Sequence, residues 1–179
     1  IKQRWVALWL ELYADEWLLI PAMHYRWHYK RAHLGFILRE FGACAKPNWP
    51  AIFQPIAGLL PALYFGRLYK PVLGVSKRNR GAIEAWYERF LRQFEQHLST
   101  NAFLLGDSPS IADFGFFGPL YAHLYRDPYS GQLMRRLAPR VAEWVERMNT
   151  LDTNRAIGGF VKNDCIPETL VPFLQHQSQ

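Results

Sequence analysis

Apolar residues recur along most of the chain with the 3.6-residue period of a helix, and no stretch alternates in twos over a strand's length between turn signals. The pattern predicts an all-α architecture. A first helix runs from Ile1 to about Ile20, with Trp5, Trp9, Tyr13 and Trp17 four apart as one aromatic stripe that drifts slowly round the cylinder. Leu8 and Leu12 lie beside it. Pro21 is expected to kink or interrupt this helix, because proline lacks an amide hydrogen and its ring crowds the preceding turn. The helical pattern resumes from Ala22 to Phe41 through Met23, Trp27, Leu34, Ile37 and Leu38, and Gly42 is expected to stop it. Residues 43–50 read as a loop. The proline-broken apolar stretch from Ala51 to Leu73 reads as short buried helical pieces.

A clear amphipathic helix follows from about Lys77 to Leu98. Ile83, Trp86, Tyr87, Phe90, Leu91, Phe94 and Leu98 form its apolar face, against Arg80, Glu84, Glu88, Arg92 and Glu95. Asn101 to Pro109 is turn-rich. Ser110-Ile111-Ala112-Asp113 then leads into an uncharged run from Phe114 to Tyr125. A helix apolar all round belongs in an interior, so this one is predicted to run through the middle of the domain. A last strong helix has Pro139 in its first turn and Val141, Trp144, Val145 and Met148 at core spacing. Thr150 to Asn163 is a glycine-containing tail, and Pro167 to about His176 a short terminal helix. One helical domain over residues 1–179, with a tail from 150 to 179, is the expected organisation.

With 50% apolar and 20% charged residues, the 179-residue chain can bury a core without staples and is too apolar for disorder. The net charge of +6 is spread along the chain, and Ser76-Lys77-Arg78-Asn79-Arg80-Gly81 is the dense basic cluster. It reads as a solvated loop entering a helix, with anionic lipid or nucleic acid as the competing reading. Cys44 and Cys165 are too far apart for a CxxC pair or a zinc cluster, and fit free thiols in a reducing, cytoplasmic setting. The uncharged run from Pro47 to Gly66 has the length of a bilayer span, but Pro47, Pro50, Pro55 and Pro61 argue against one. Ile1 begins directly in helix-like sequence with no Met and no leader, so something upstream is expected.

Candidate chemistry is sparse. HExxH, GxSxG, GxxxxGK[ST] and GxGxxG are all absent. His24 and His28 have an i, i+4 metal-binding spacing without a third ligand in register, so exposed surface histidines are the plainer reading and no metal site is expected. His123, in the apolar central helix, reads as a core imidazole satisfied by a backbone carbonyl, with a catalytic base as the alternative. Ser110 and Asp113 have the spacing of a capping box, a structural N-cap; a catalytic acid at Asp113 is the competing role.

Two segments carry a family resemblance. Phe103-Leu104-Leu105-Gly106-Asp107-Ser108-Pro109-Ser110-Ile111-Ala112-Asp113 resembles the entry into the central helix of the glutathione S-transferase C-terminal domain. Pro139-Arg140-Val141-Ala142-Glu143-Trp144-Val145-Glu146-Arg147-Met148 resembles that domain's following helix. The close match covers about residues 103–148, and the helix 77–98 and the aromatic first helix fit the family's helix order.

The resemblance implies a glutathione transferase C-terminal-domain-like helical bundle, paired in the intact protein with a thioredoxin-like half that binds the co-substrate glutathione and carries the catalytic residue. No βαβ pattern precedes residue 103, so this chain is expected to hold no catalytic residue and no bound cofactor, and to be inactive alone. The helical half of the family supplies the wall for a hydrophobic electrophile, and Trp9, Tyr13 and Trp17 are the matching substrate-binding candidates, with plain core packing as the other reading of the stripe. A homodimer is the implied assembly. Neither a nucleic-acid partner nor a membrane is expected. A non-catalytic protein-interaction module on the same fold is the alternative function.

Overall fold

The computed structural model describes residues 1–152 and 158–176. Helix α1 (Lys2–Tyr13) passes through a π-helical turn, Ala14–Leu18, into α2 (Leu19–His28). Pro21 therefore sits in the first turn of α2, and the wider π turn just before it absorbs the missing amide without a break. The break falls instead at Tyr29, whose φ of -96° and ψ of 37° leave the helical region, and α3 (Lys30–Ala45) follows. Gly42 does not end that helix. It lies inside it, where a Cβ would overlap the Gln54 carbonyl, so the glycine is used for a close approach of the next segment.

That segment departs from expectation. Short helical turns, α4 (Gln54–Ala57), α5 (Leu59–Leu63), the π turn Tyr64–Tyr69 and α6 (Lys70–Val72), are strung end to end, with α4 and α5 against α3 and α6 against α2. The predicted helical pieces form, but they are not buried. Gly58, Ala62 and Gly66 face inward, while Ile52, Ile56, Leu60, Leu68 and Val72 are exposed. The reason is close approach of the neighbouring helices: a Cβ on Gly58 would overlap the Leu38 backbone carbonyl, and one on Gly66 would stand 2.8 Å from the Trp27 ring.

The remaining elements are α7 (Arg80–His97), α8 (Ile111–Pro119) with its π-helical extension Leu120–Tyr125, α9 (Pro128–Leu137), α10 (Pro139–Asn149) and α11 (Val171–His176). Helix α9 has no counterpart in the sequence reading, although Asp127-Pro128 is an N-cap followed by a proline in the first turn, the ordinary signal for a helix start. The terminal helix forms as predicted, after a 3-10 turn at Glu168–Leu170. Part of the predicted tail, residues 153–157, lies outside the described residues.

The main core gathers Leu10, Tyr13 and Leu18 from the first helix, Tyr87, Phe90 and Phe94 from α7, Phe116 from α8, Trp144 from α10 and Phe173 from the C-terminal segment. Helix α8 lies on α1, and Gly115 lets it approach: a Cβ there would stand 3.0 Å from the Glu11 Cα. Burial of α8 is one-sided. Ala112, Asp113 and Phe116 are interior, but Ile111 and Phe114 remain exposed, so an apolar pattern all round overstated how completely the helix is enclosed. Met23, Trp27, Ile37, Ala62, Val75 and Ile83 form a second, smaller cluster beneath the 54–72 segment. Among the described residues no helix is long and apolar enough to cross a membrane.

Candidate functional site

The start of α8 is organised by one carboxylate. Asp113 is fully buried; its Oδ2 accepts from the Ser110 amide and hydroxyl, both at 2.9 Å, and its Oδ1 accepts from the Leu104 amide at 2.9 Å. The capping box is complete, and the same side chain pins the preceding turn. Burial pushes the Asp113 carboxyl above its ordinary pKa, opposed by the hydrogen bonds from Leu104 and Ser110. All its near partners are structural. Gly106, at φ 128°, closes the turn against Gly159, and the Asp107 amide donates to the Gly159 carbonyl.

The aromatic stripe of α1 divides in two. Tyr13 is buried, its ring 5.9 Å from Phe116, 6.0 Å from Phe173 and 6.4 Å from Trp86, and burial raises its phenol pKa. Trp5 and Trp9 face outward, 70% and 48% exposed, with Leu8 and Leu12 beside them. Trp17 occupies a third setting. It lines a groove of about 290 Å³ together with Ile20, Leu73, Ile83 and Trp86, between the α1–α2 helix and the start of α7. Asn79 also lines this groove, but its side chain is engaged: Oδ1 accepts from the Ser76 amide and hydroxyl, and Nδ2 donates to the Gly74 carbonyl. The groove is thus suited to an apolar guest rather than to a charged peptide.

Two polar networks were not legible as such in the sequence. Arg26 grips Asp127 with two hydrogen bonds, 2.8 Å from Nε and 2.5 Å from a terminal nitrogen, and both side chains are buried. His33 completes this network by accepting from the Tyr129 amide at 3.1 Å, and burial lowers its pKa. In the second, Glu84 Oε1 receives His24 Nε2 at 2.9 Å, the Tyr29 hydroxyl at 2.7 Å and Arg80 Nε at 3.0 Å. Burial pulls the Glu84 carboxyl up, but these three bonds together hold it below its ordinary value.

His24 is therefore buried and paired, not a surface histidine. Its ring lies 4.3 Å from that of His28, whose pKa burial lowers to about 4. No cluster of metal-ligating side chains occurs among the described residues. His123 is also lowered, to about 3, by burial, yet its Nδ1 has no hydrogen-bond partner among the described residues, in contrast to the predicted satisfied imidazole. The satisfied core imidazole is His97, bonded to Thr169 and the Phe103 carbonyl.

The model of the family described as Glutathione S-transferase, C-terminal domain, matches residues 78–147. Over these residues the chain is similar to a glutathione S-transferase C-terminal domain. The match takes in the cap at Ser110 and Asp113, and it extends the resemblance back from residue 103 over all of α7. The matched segment supplies Ile83 and Trp86 to the groove, while Trp17 and Ile20 come from helices ahead of it. Comparison of the chain with curated proteins and with solved structures gave no match.

Proposed function

We propose that the chain is the helical half of a glutathione S-transferase-like protein and provides the wall on which a hydrophobic electrophile rests while glutathione, held by a thioredoxin-like domain, attacks it. The observation that carries this reading is the apolar groove in which Trp17 and Trp86 meet. The contribution of this half is binding and orientation, which concentrate the electrophile at the thiolate; the nucleophile belongs to the other domain. Trp17 contacts the electrophile. Tyr13 supports Trp86 from the core, and Trp9, with Trp5, Leu8 and Leu12, forms the exposed strip that the thioredoxin-like domain covers. The intact protein is a homodimer in the cytoplasm.

Calorimetric titration of the chain with an apolar aromatic compound such as a chlorodinitrobenzene tests it. Saturable binding, weakened about tenfold by Trp17→Ala, is expected, a loss of about 1.4 kcal/mol. No glutathione conjugation is expected from the chain alone. Binding unchanged by Trp17→Ala removes the electrophile wall. The exposed strip of α1 favours a second reading, a non-catalytic interaction module; a partner bound through Trp9 with no ligand in the groove is the result that selects it.

A further inference from the structure

The segment 54–72 is amphipathic in an inverted sense. Its innermost positions are Gly58, Ala62 and Gly66, one helical turn apart, with Phe65 half-buried against Phe41, and its outer side holds Ile56, Leu60, Leu63, Tyr64, Leu68 and Val72, all of them exposed. Leu60 is 79% exposed and Val72 78%. Laid end to end the turns reach ~28 Å at ~1.5 Å per residue. Such a contiguous apolar strip on a protein surface marks a docking face.

Charge indicates what docks there. From Phe41 to Ile83 the sequence holds Lys46, Arg67, Lys70, Lys77, Arg78 and Arg80 and no Asp or Glu. Arg80 is paired with Glu84, and the other five form no ion pair among the described residues. Trp49 and Phe53, both exposed, stand at one end of the strip. The carboxylates flanking this stretch, Glu40 and Glu84, are paired with Arg126 and Arg80. Large apolar side chains, interfacial aromatics and unpaired cations are the composition of a helix that lies in a membrane interface.

We propose that this face seats the protein on an anionic lipid bilayer, with the 54–72 helical turns lying in the headgroup boundary and not crossing it. The surrounding cations supply attraction to anionic headgroups and the leucines supply burial. A second copy of the chain is a poor occupant, because a twofold contact would set Arg67 and Lys70 against equally cationic surface with no carboxylate in the segment. The face is also distinct from the α1 strip: Leu12 and Trp27, where Gly66 packs, are ~22 Å apart along the helix.

Co-sedimentation of the chain with sucrose-loaded vesicles tests the proposal, with phosphatidylcholine alone compared with phosphatidylcholine containing phosphatidylglycerol. Binding about tenfold tighter to the anionic vesicles, and weakened by added salt, is expected. Leu60→Gln with Leu68→Gln should abolish it, Arg67→Gln with Lys77→Gln should remove the preference for anionic lipid, and Leu8→Gln on the α1 strip should leave it intact. Quenching of Trp49 fluorescence by brominated acyl chains, taken as the difference from Trp49→Phe, reads the same contact without altering the leucines. The proposal is overturned if the chain stays in the supernatant, if Leu8→Gln abolishes pelleting, or if the leucine pair changes nothing. A dimer in sedimentation velocity that the leucine pair splits would also overturn it, assigning the face to a second copy.

Discussion

Residues 110–125 and 47–66 are both long stretches dominated by apolar residues, yet they are disposed in opposite ways. The first buries Phe116, Leu120 and Leu124 and keeps one buried carboxylate, Asp113, to fix its entry. The second buries glycines and an alanine and turns most of its large side chains out, with Phe65 half-buried against Phe41. Hydrophobic content alone therefore does not decide which side faces inward. What decides is the distance to the neighbouring backbone. Where two helices stand far enough apart, large residues fill the gap, and where backbones almost touch, as at Gly42 and Gly58, only small residues fit and the large ones are displaced to the surface.

The largest effect is expected at the polar clamp beside the first region, where Arg26 also donates to the Ala122 carbonyl; the 54–72 segment has no such clamp among the described residues. Asp127 stands at the N-cap position of α9, but its carboxylate is held by Arg26 from α2 rather than by the helix amides, and both side chains are buried. Asp127→Ala leaves a buried guanidinium without its carboxylate, a change that costs about 3–5 kcal/mol. Urea denaturation should show a loss of that size, and the variant should melt as a whole. A loss under 1 kcal/mol would mean that the pair is solvated in solution and that the clamp is not what distinguishes the two regions.

A smaller effect is expected at the cap. Asp113→Ala strands the Ser110 and Leu104 amides inside the protein and should lower stability by about 1–3 kcal/mol. Asp113→Asn keeps one accepting oxygen and should cost less. Hydrogen exchange sharpens the point: the Leu104 amide should exchange much faster in the alanine variant, while amides of α3 are unchanged. Protection at Leu104 equal to that of the parent would show that the turn is held by other contacts.

The family portion of the fold was legible because its signals are local. Ser110 and Asp113 lie three apart, Pro139 opens a helix, and the α7 face repeats at 3.6, so each element announces itself within a turn or two. The stripe on α1 was legible as a stripe but not as a division of roles, since a four-residue spacing drifts round the helix and only the neighbours decide that Tyr13 goes in and Trp9 out. Partners distant in sequence were not legible. Arg26 meets Asp127 across 101 positions and His24 meets Glu84 across 60, and no periodicity encodes such pairings. In the 51–73 segment the hydrophobic residues do not tell which side faces inward, because most of them point outward; Gly58, Ala62 and Gly66 are the informative positions.

The smallest effect is the sharpest test of that last lesson. In an ordinary core helix, leucine to alanine is costly and alanine to leucine is tolerated only where there is room. On the 54–72 segment the order should invert. Leu60→Ala removes a side chain that is already in solvent and should change stability by less than about 0.5 kcal/mol. Ala62→Leu, on the buried side between Gly58 and Gly66, must push the segment off its neighbours and should cost about 1–3 kcal/mol. Thermal melts of the two variants beside the parent measure the difference directly. If Leu60→Ala is the more damaging of the two, the large residues face inward in solution, the inverted packing is wrong, and the membrane-docking face built on it is lost as well.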